Sequence, residues 1–256
     1  MMRLIVSNFG MKTKAPDHSS SDLHAVLYAK NYVQLNSISD HEVSTLKQFY
    51  FESIGVQEER YLDQCYQEGL VRTEGMQSDG SKDCPLASIA RKSEPADLAA
   101  KYFGVDKNEL YFGANICCSP RVKAGVEVNP DGYDGSFRWH RDCGAYQFLN
   151  CYVYLNDILD EGCGHHEYFS GTIAKWNSPL RVRLLKRYTT EEIHKAYPAA
   201  QLIPYFGKAG SFYVENASGF HRGTLATNGY RIQLSITYES RDWAQRYRHH
   251  AHKVSV

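Results

Sequence analysis

The sequence predicts a mainly β fold with flanking α-helices, an antiparallel barrel or sandwich braced from outside. Three observations lead there. Segments of helical period are confined to the N-terminal third of the chain. From about residue 109, short strand-like runs separated by turn residues take over, and one of them, Tyr230 to Glu239, alternates without a break. Aromatic residues make up 13% of the 256, with 19 Tyr and 11 Phe, which favours strands. Helices run into strands with no linker between them, so one domain is expected: a helix-rich part over about 1–108, a β core over about 109–240 and a basic tail over 241–256.

In chain order, His18 to Asp22 is the most linker-like stretch. Ser39 followed by Glu42 forms a capping-box pattern, and Val43, Leu46 and Tyr50 recur at helical spacing, predicting a helix over Asp40 to Glu52. A second helix is predicted over Gln57 to Glu68 with Gly69 as its stop. A third covers Glu94 to Phe103, capped by Ser93, with Pro95 in its first turn and Gly104 at its end. Glu74 to Asp83 is polar and glycine-containing and reads as a loop.

Strands are predicted over Glu109 to Ile116, Val122 to Val128, Tyr146 to Leu155, Ser211 to Glu215, Phe220 to Leu225 and Tyr230 to Glu239. The last places Tyr230, Ile232, Leu234, Ile236 and Tyr238 on one face and Arg231, Gln233, Ser235 and Thr237 on the other.

Composition excludes several classes. Lys and Arg number 29, and so do Asp and Glu, a balance that argues against a nucleic-acid-coating protein. No apolar run approaches ~18 residues, so no membrane span is expected. The opening MMRLIVSNFGMKTK lacks the long apolar region and small-residue cleavage site of a secretory signal. Seven cysteines without a Cys-x-x-Cys pair do not form a disulfide framework; reduced thiols in a cytoplasmic protein are expected.

The sharpest local signal is Trp139-His140-Arg141-Asp142. On an extended strand, residues two apart point to the same side, ~6.5–7 Å apart at Cα, so an imidazole and a carboxylate can converge on one metal ion. The best third ligand is His221, in the run from Ser218 to Gly223. Two histidines and one carboxylate on one face of an octahedron leave three positions open, which suits non-haem Fe(II) with a chelating cosubstrate and O2. Arg231, on the polar face of the alternating strand, can hold a dicarboxylate through a bidentate ion pair. Asn228-Gly229 between them is a hairpin signal. For Arg231 to share a face with His221, that hairpin needs a bulge or a three-residue loop that pairs Arg231 with Leu225. Cys163, His165 and His166 invite a zinc reading, but no second Cys/His pair stands at structural-zinc spacing; a place near the pocket mouth is the alternative. Trp139 is expected in the core, and Cys143 is expected to point away from the metal.

The stretch ending at Thr172, WHRDCGAYQFLNCYVYLNDILDEGCGHHEYFSGT, resembles the phytanoyl-CoA dioxygenase-like branch of the Fe(II)/2-oxoglutarate oxygenases. That branch shows H-x-D on a strand, then an aromatic and aliphatic strand, then L-D-D, E-N-G and P-G-S-H elements. Their counterparts here are Leu155-Asn156-Asp157, Glu161-Gly162 and Tyr168 to Thr172. Asn31 to Tyr50 resembles the family's opening, an extended segment followed by a helix. Two departures stand out. Ser170-Gly171-Thr172-Ile173 lacks the terminal His of P-G-S-H, and the His221-to-Arg231 interval is one residue shorter than in some relatives.

The resemblance implies a double-stranded β-helix, or jelly roll, with the N-terminal helices packed outside. It implies Fe(II) on His140, Asp142 and His221, and the distal carboxylate of 2-oxoglutarate on Arg231, assisted by Thr224, Ser235 or Gln233. The implied activity couples conversion of 2-oxoglutarate and O2 to succinate and CO2 with oxidation, foremost hydroxylation, of an unactivated C–H. The implied partner is a small-molecule substrate, free or bound to CoA or another carrier, with neither nucleic acid nor membrane. A non-catalytic jelly-roll binding protein and a zinc-dependent hydrolase on the same three side chains are the alternatives.

Overall fold

A computed structural model describes residues 20–73, 75–127, 133–142, 148–173, 187–240 and 252–254. Helices α1 (Ser20–Lys30), α2 (Asp40–Ile54), α3 (Glu58–Glu68), α4 (Pro85–Ala90) and α5 (Ser93–Phe103) occupy the N-terminal part, interrupted by strands β1 (Tyr32–Leu35) and β2 (Met76–Gln77). The rest is built on β3 (Leu110–Ser119), β4 (Phe148–Tyr154), β5 (His166–Ser170), helix α6 (Thr190–Ala196), β6 (Gln201–Tyr205), β7 (Phe212–Glu215), β8 (His221–Gly223), β9 (Arg231–Ser240) and β10 (His252–Lys253).

The α2 start is set by its sequence. Ser39 Oγ accepts from the Glu42 amide at 3.3 Å, and the Glu42 carboxylate accepts from the Ser39 amide at 2.9 Å. Such reciprocal capping is worth about 1 kcal/mol. Gly69 and Gly104 end α3 and α5 in the left-handed conformation, as their positions predict. Ser93 is the first residue of α5 rather than its cap; Lys92 holds the cap position without a side-chain bond, and its Nζ pairs with Glu42 at 2.7 Å.

The described strands form two antiparallel sheets. The larger runs β1-β7-β4-β9-β3-β10, with β2 also on β3; the smaller runs β6-β5-β8. This is the jelly-roll arrangement of two opposed sheets. Strand β9 is the centre of the larger sheet, paired with β3 from Leu110↔Ser240 to Ser119↔Arg231 and with β4 from Phe148↔Glu239 to Tyr154↔Gln233. Its alternation divides the molecule as predicted. Ile232, Leu234, Ile236 and Tyr238 join Leu27, Leu46, Tyr50, Leu86 and Leu98 of the helices in the main core. Arg231, Gln233, Ser235 and Thr237 face the other way, into a cavity. Between the sheets, Tyr152, Tyr154 and Tyr213 of the larger pack on Tyr168 and Tyr205 of the smaller.

Some expectations are overturned. Residues 122–127 form no strand, and Val128 lies outside the described residues: Arg121 makes one isolated bridge to Ala226, and the Val126 amide closes a turn on Lys123. Strand β2 interrupts the loop expected over Glu74 to Asp83, and α1 starts inside the stretch read as linker. The hairpin between β8 and β9 does not exist. β8 pairs with β5 in the smaller sheet, whereas Arg231 pairs with Ser119 in the larger. Asn228-Gly229 serves the crossing between sheets: the amides of Thr227, Asn228 and Gly229 converge on the Gly162 carbonyl. Local turn chemistry was legible, but the partner it docks on is 66 residues away in sequence. Cys143, residues 174–181 and most of the tail lie outside the described residues.

Candidate metal centre

His140 and His221 form an antiparallel backbone bridge, exchanging amide-to-carbonyl bonds of 3.1 and 3.0 Å. Their rings lie side by side, centroids 4.3 Å apart. The Asp142 amide bonds to the Ala217 carbonyl at 3.1 Å, so both arms of the segment are stapled to the chain around β8. Ligand atoms of His140, Asp142 and His221 all lie within 4.8 Å of one another. The carboxylate bridges the two rings: Oδ1 is 3.9 Å from His140 Nε2 and Oδ2 is 3.7 Å from His221 Nε2.

Both imidazoles are oriented in the same way. His140 Nδ1 contacts the Arg138 carbonyl at 2.8 Å, and His221 Nδ1 the Gly219 carbonyl at 3.1 Å, each two residues back along the chain. A ring that donates from Nδ1 presents Nε2 as its metal-binding atom. Asn150 on β4 donates to Asp142 Oδ2 at 2.6 Å and itself accepts from Thr237 Oγ1 at 3.0 Å. This donor set, two nitrogens and one carboxylate oxygen with an open side, fits a borderline divalent metal such as Fe(II).

Charge is unevenly distributed over the three. Burial, reinforced by the neighbouring His221, pushes His140 down to about 3, which keeps it neutral. Burial also acts against a charged His221, but the Asp142 carboxylate outweighs it and raises His221 to about 9. Burial likewise opposes ionisation of Asp142, yet His221 and His140 hold it below the usual carboxylate range. Without metal the centre is therefore an Asp142–His221 ion pair beside a neutral His140.

Behind His221 lies a second layer. Glu215 at the end of β7 is fully buried. Its oxygens lie 3.2 Å from His166 Nε2, 2.9 Å from the Tyr205 hydroxyl and 3.7 Å from His221 Nδ1. His165 instead contacts Glu167 at 3.3 Å, and the Cys163 thiol lies 3.5 Å from Asp160 Oδ1. Among the described residues, His140, Asp142 and His221 are the one group of metal-ligating side chains close enough to share an ion.

The three candidate ligands open into a cavity of about 270 Å³. Arg231 lies in its wall, 4% exposed, reaching between the sheets. Its Nη1 donates to the Gly164 carbonyl and its Nη2 to Ser119 Oγ at 3.2 Å. Gly223, two residues beyond His221, leaves room for it; a Cβ there would stand 2.6 Å from Nη2. Burial draws the guanidinium down from its ordinary value. Gln233 and Ser235 line the cavity as well. Thr224 does not: its hydroxyl is taken by His165, at 2.9 Å from the carbonyl and 3.2 Å from Nδ1. Trp139 is buried against Phe169 beneath the Arg222 guanidinium. His166, singled out with Cys163 and His165, lines the cavity, whereas sequence reasoning missed Asn150 and Glu215. The signal was present for both, a polar residue inside an apolar strand run (FLNCYVY, FYVE).

No family model matches the chain, and no curated protein matches it. Solved structures do. The non-heme alpha ketoglutarate dependent epimerase SnoN from nogalamycin biosynthesis, in complex with Fe3+, alpha ketoglutarate and nogalamycin RO, superposes with a TM-score of 0.58 at 16% identity, over 86% of this chain and 83% of its own. The carbocyclase SnoK from the same biosynthesis gives 0.55 at 14%, over 88% and 85%. EctD from S. alaskensis, with 2-oxoglutarate and 5-hydroxyectoine, gives 0.56 at 16%, over 89% and 78%. The chain thus shares the jelly-roll fold of the iron- and 2-oxoglutarate-dependent non-heme enzymes.

Proposed function

We propose that the protein is an Fe(II)/2-oxoglutarate-dependent dioxygenase that hydroxylates an unactivated C–H of a small molecule. The observation that carries this reading is one cavity lined by both the His140/Asp142/His221 cluster and the buried guanidinium of Arg231. In such a site His140 Nε2, His221 Nε2 and one Asp142 oxygen hold the metal. Arg231 receives the distal carboxylate of 2-oxoglutarate, its two nitrogens already aimed by Gly164 and Ser119. Asn150 holds the carboxylate of Asp142 in the ligating orientation. The bound iron supplies the redox chemistry that joins decarboxylation of 2-oxoglutarate by O2 to oxidation of substrate, giving succinate and CO2.

Asp142 bears on reaction type, because a carboxylate in that position keeps a third protein ligand on the metal and favours oxygen insertion. The free thiols of Cys65, Cys84, Cys117, Cys118, Cys151 and Cys163 support a reducing, cytoplasmic setting. Among the described residues, no helix is long and apolar enough to cross a membrane. The test is succinate release from 2-oxoglutarate with Fe(II) and ascorbate. Turnover is expected in the native chain and absent in Asp142→Ala. Tight zinc binding without any affinity for 2-oxoglutarate would instead favour hydrolysis.

A further inference from the structure

Both stretches that carry the candidate ligands are held from behind by one residue. Thr172 follows β5 and is fully buried. Gly171 before it takes a φ of 85°, which turns the chain back toward the strand it has just left. There the Thr172 hydroxyl donates to the Phe169 carbonyl at 2.6 Å and accepts from the Phe220 amide at 2.9 Å. The register of β5 with β8 runs from His166↔Gly223 to Tyr168↔His221, so Phe169 and Phe220 are the next opposed residues. A hydrogen-bonded antiparallel pair exchanges two backbone bonds. One is made directly, from the Phe169 amide to the Phe220 carbonyl at 2.8 Å. The other passes through Thr172 Oγ1. A side-chain hydroxyl is thus inserted into the ladder one residue before His221.

The second arm starts at the Thr172 carbonyl, which accepts from Arg141 Nη2 at 2.5 Å. Arg141 stands between His140 and Asp142 in sequence. Neighbours on an extended segment point to opposite sides, so with His140 and Asp142 turned to the cavity, Arg141 is turned away from it. Its guanidinium also donates to the Tyr197 hydroxyl at 2.7 Å and lies 4.0 Å from the centre of the Phe220 ring. Thr172 and Arg141 therefore join the residue before His221 to the residue between the other two ligands.

We propose that Thr172 and Arg141 are positioning residues of the metal centre, a latch that sets the His221 arm against the His140–Asp142 arm. The proposal rests on the metal-centre reading alone, not on any cosubstrate or substrate. Valine at 172 keeps the shape and removes the hydroxyl, which leaves the Phe220 amide and the Phe169 carbonyl unpaired unless the strands shift. Serine keeps the hydroxyl. Methionine at 141 keeps an apolar stem and removes the guanidinium.

The test is Mn(II) titration of the full chain by calorimetry, with the visible absorption of the Co(II) protein as a readout of ligand geometry. Thr172→Val and Arg141→Met should each lose at least about tenfold in Mn(II) affinity and change the Co(II) spectrum. Thr172→Ser should stay within about threefold of the native affinity and keep the native spectrum. Leu46→Ala opens a void in the helical core, on the face of the larger sheet away from the cavity, and controls for general destabilisation; it should leave both readouts unchanged. Native affinity in either folded latch variant overturns the proposal. So does a loss in Thr172→Ser or in Leu46→Ala equal to that in Thr172→Val. Circular dichroism checks folding: where one latch variant does not fold the other decides, and where neither folds the two residues belong to the core and the proposal fails. A native protein that binds neither Mn(II) nor Co(II) sinks the metal-centre reading and the latch with it, whereas native binding with unaffected variants sinks the latch alone.

Discussion

Asn150 donates to Oδ2 of Asp142 at 2.6 Å, the shortest polar contact made by any of the three candidate ligands. The same amide is fixed from its other end by Thr237, so β4 and β9 together set the angle of the carboxylate. Groups that orient a metal ligand typically change affinity by about 10–100-fold when removed. Asn150→Leu keeps the volume and removes both bonds. Mn(II) or Fe(II) titration by calorimetry should show a loss in that range, with the circular dichroism spectrum unchanged. Native affinity in this variant would remove Asn150 from the metal centre.

Gly223 and Arg231 make a second pair that a single methyl group can separate. A Cβ on Gly223 would sit 2.6 Å from Nη2 and 3.2 Å from Nη1 of Arg231. The guanidinium has little freedom to retreat, because Gly164 and Ser119 already hold it. Gly223→Ala should therefore weaken 2-oxoglutarate binding at least about tenfold, since a bidentate pair is lost when its fork is displaced. Metal affinity should stay within about threefold, because the His221 ring is oriented by the Gly219 carbonyl rather than by Gly223. Parallel titrations with metal and with 2-oxoglutarate separate the two effects.

Glu215 anchors the layer beneath His221. Replacing it with Leu leaves the His166 imidazole and the Tyr205 hydroxyl buried without their carboxylate. Each unsatisfied buried group is destabilising by about 1–3 kcal/mol, so urea denaturation should show a loss of about 2–5 kcal/mol. Glu215→Gln, which keeps an acceptor for Tyr205, should lose less. Equal stability of Leu and native proteins would show that this network contributes nothing net.

Much of this was legible because period and face are local properties. The alternation from Tyr230 to Glu239 placed Arg231 and Gln233 on the cavity side before any pairing was known. The spacing of His140 and Asp142 likewise put two candidate ligands on one side. What was not legible depended on which strand lies beside which. The Asn228-Gly229 turn looks the same in sequence whether it closes a hairpin or docks on Gly162 while the chain changes sheets. Thr224 faces His165 rather than the cavity for that reason, since β8 pairs with β5. Strands β5 and β6 escaped notice because β6, with its exposed Gln201 and Leu202 and its Pro204, lacks the apolar alternation of a strand buried on one face.

The paired charges of Asp142 and His221 give the centre opposite pH responses with and without metal. His221 is raised from 6.5 to about 9: burial pulls it down, and Asp142, with Glu215 behind, more than reverses that. A folded-state value above the unfolded one means stabilisation fully present below about pH 6.5 and lost as pH rises through about 9. Chelated native protein should therefore lose its stability margin over His221→Asn between pH 6 and 9.5. Metal binding runs the other way, because a ligating Nε2 must be free of its proton. Apparent Mn(II) affinity should rise by about tenfold per pH unit from pH 6.5 and level off near 9, with one proton released for each ion bound. His140, already neutral at a value of about 3, adds no second proton. Calorimetry in two buffers of different ionisation enthalpy counts the protons. A pH-independent affinity over that range would mean that Asp142 does not hold His221 charged in the metal-free protein.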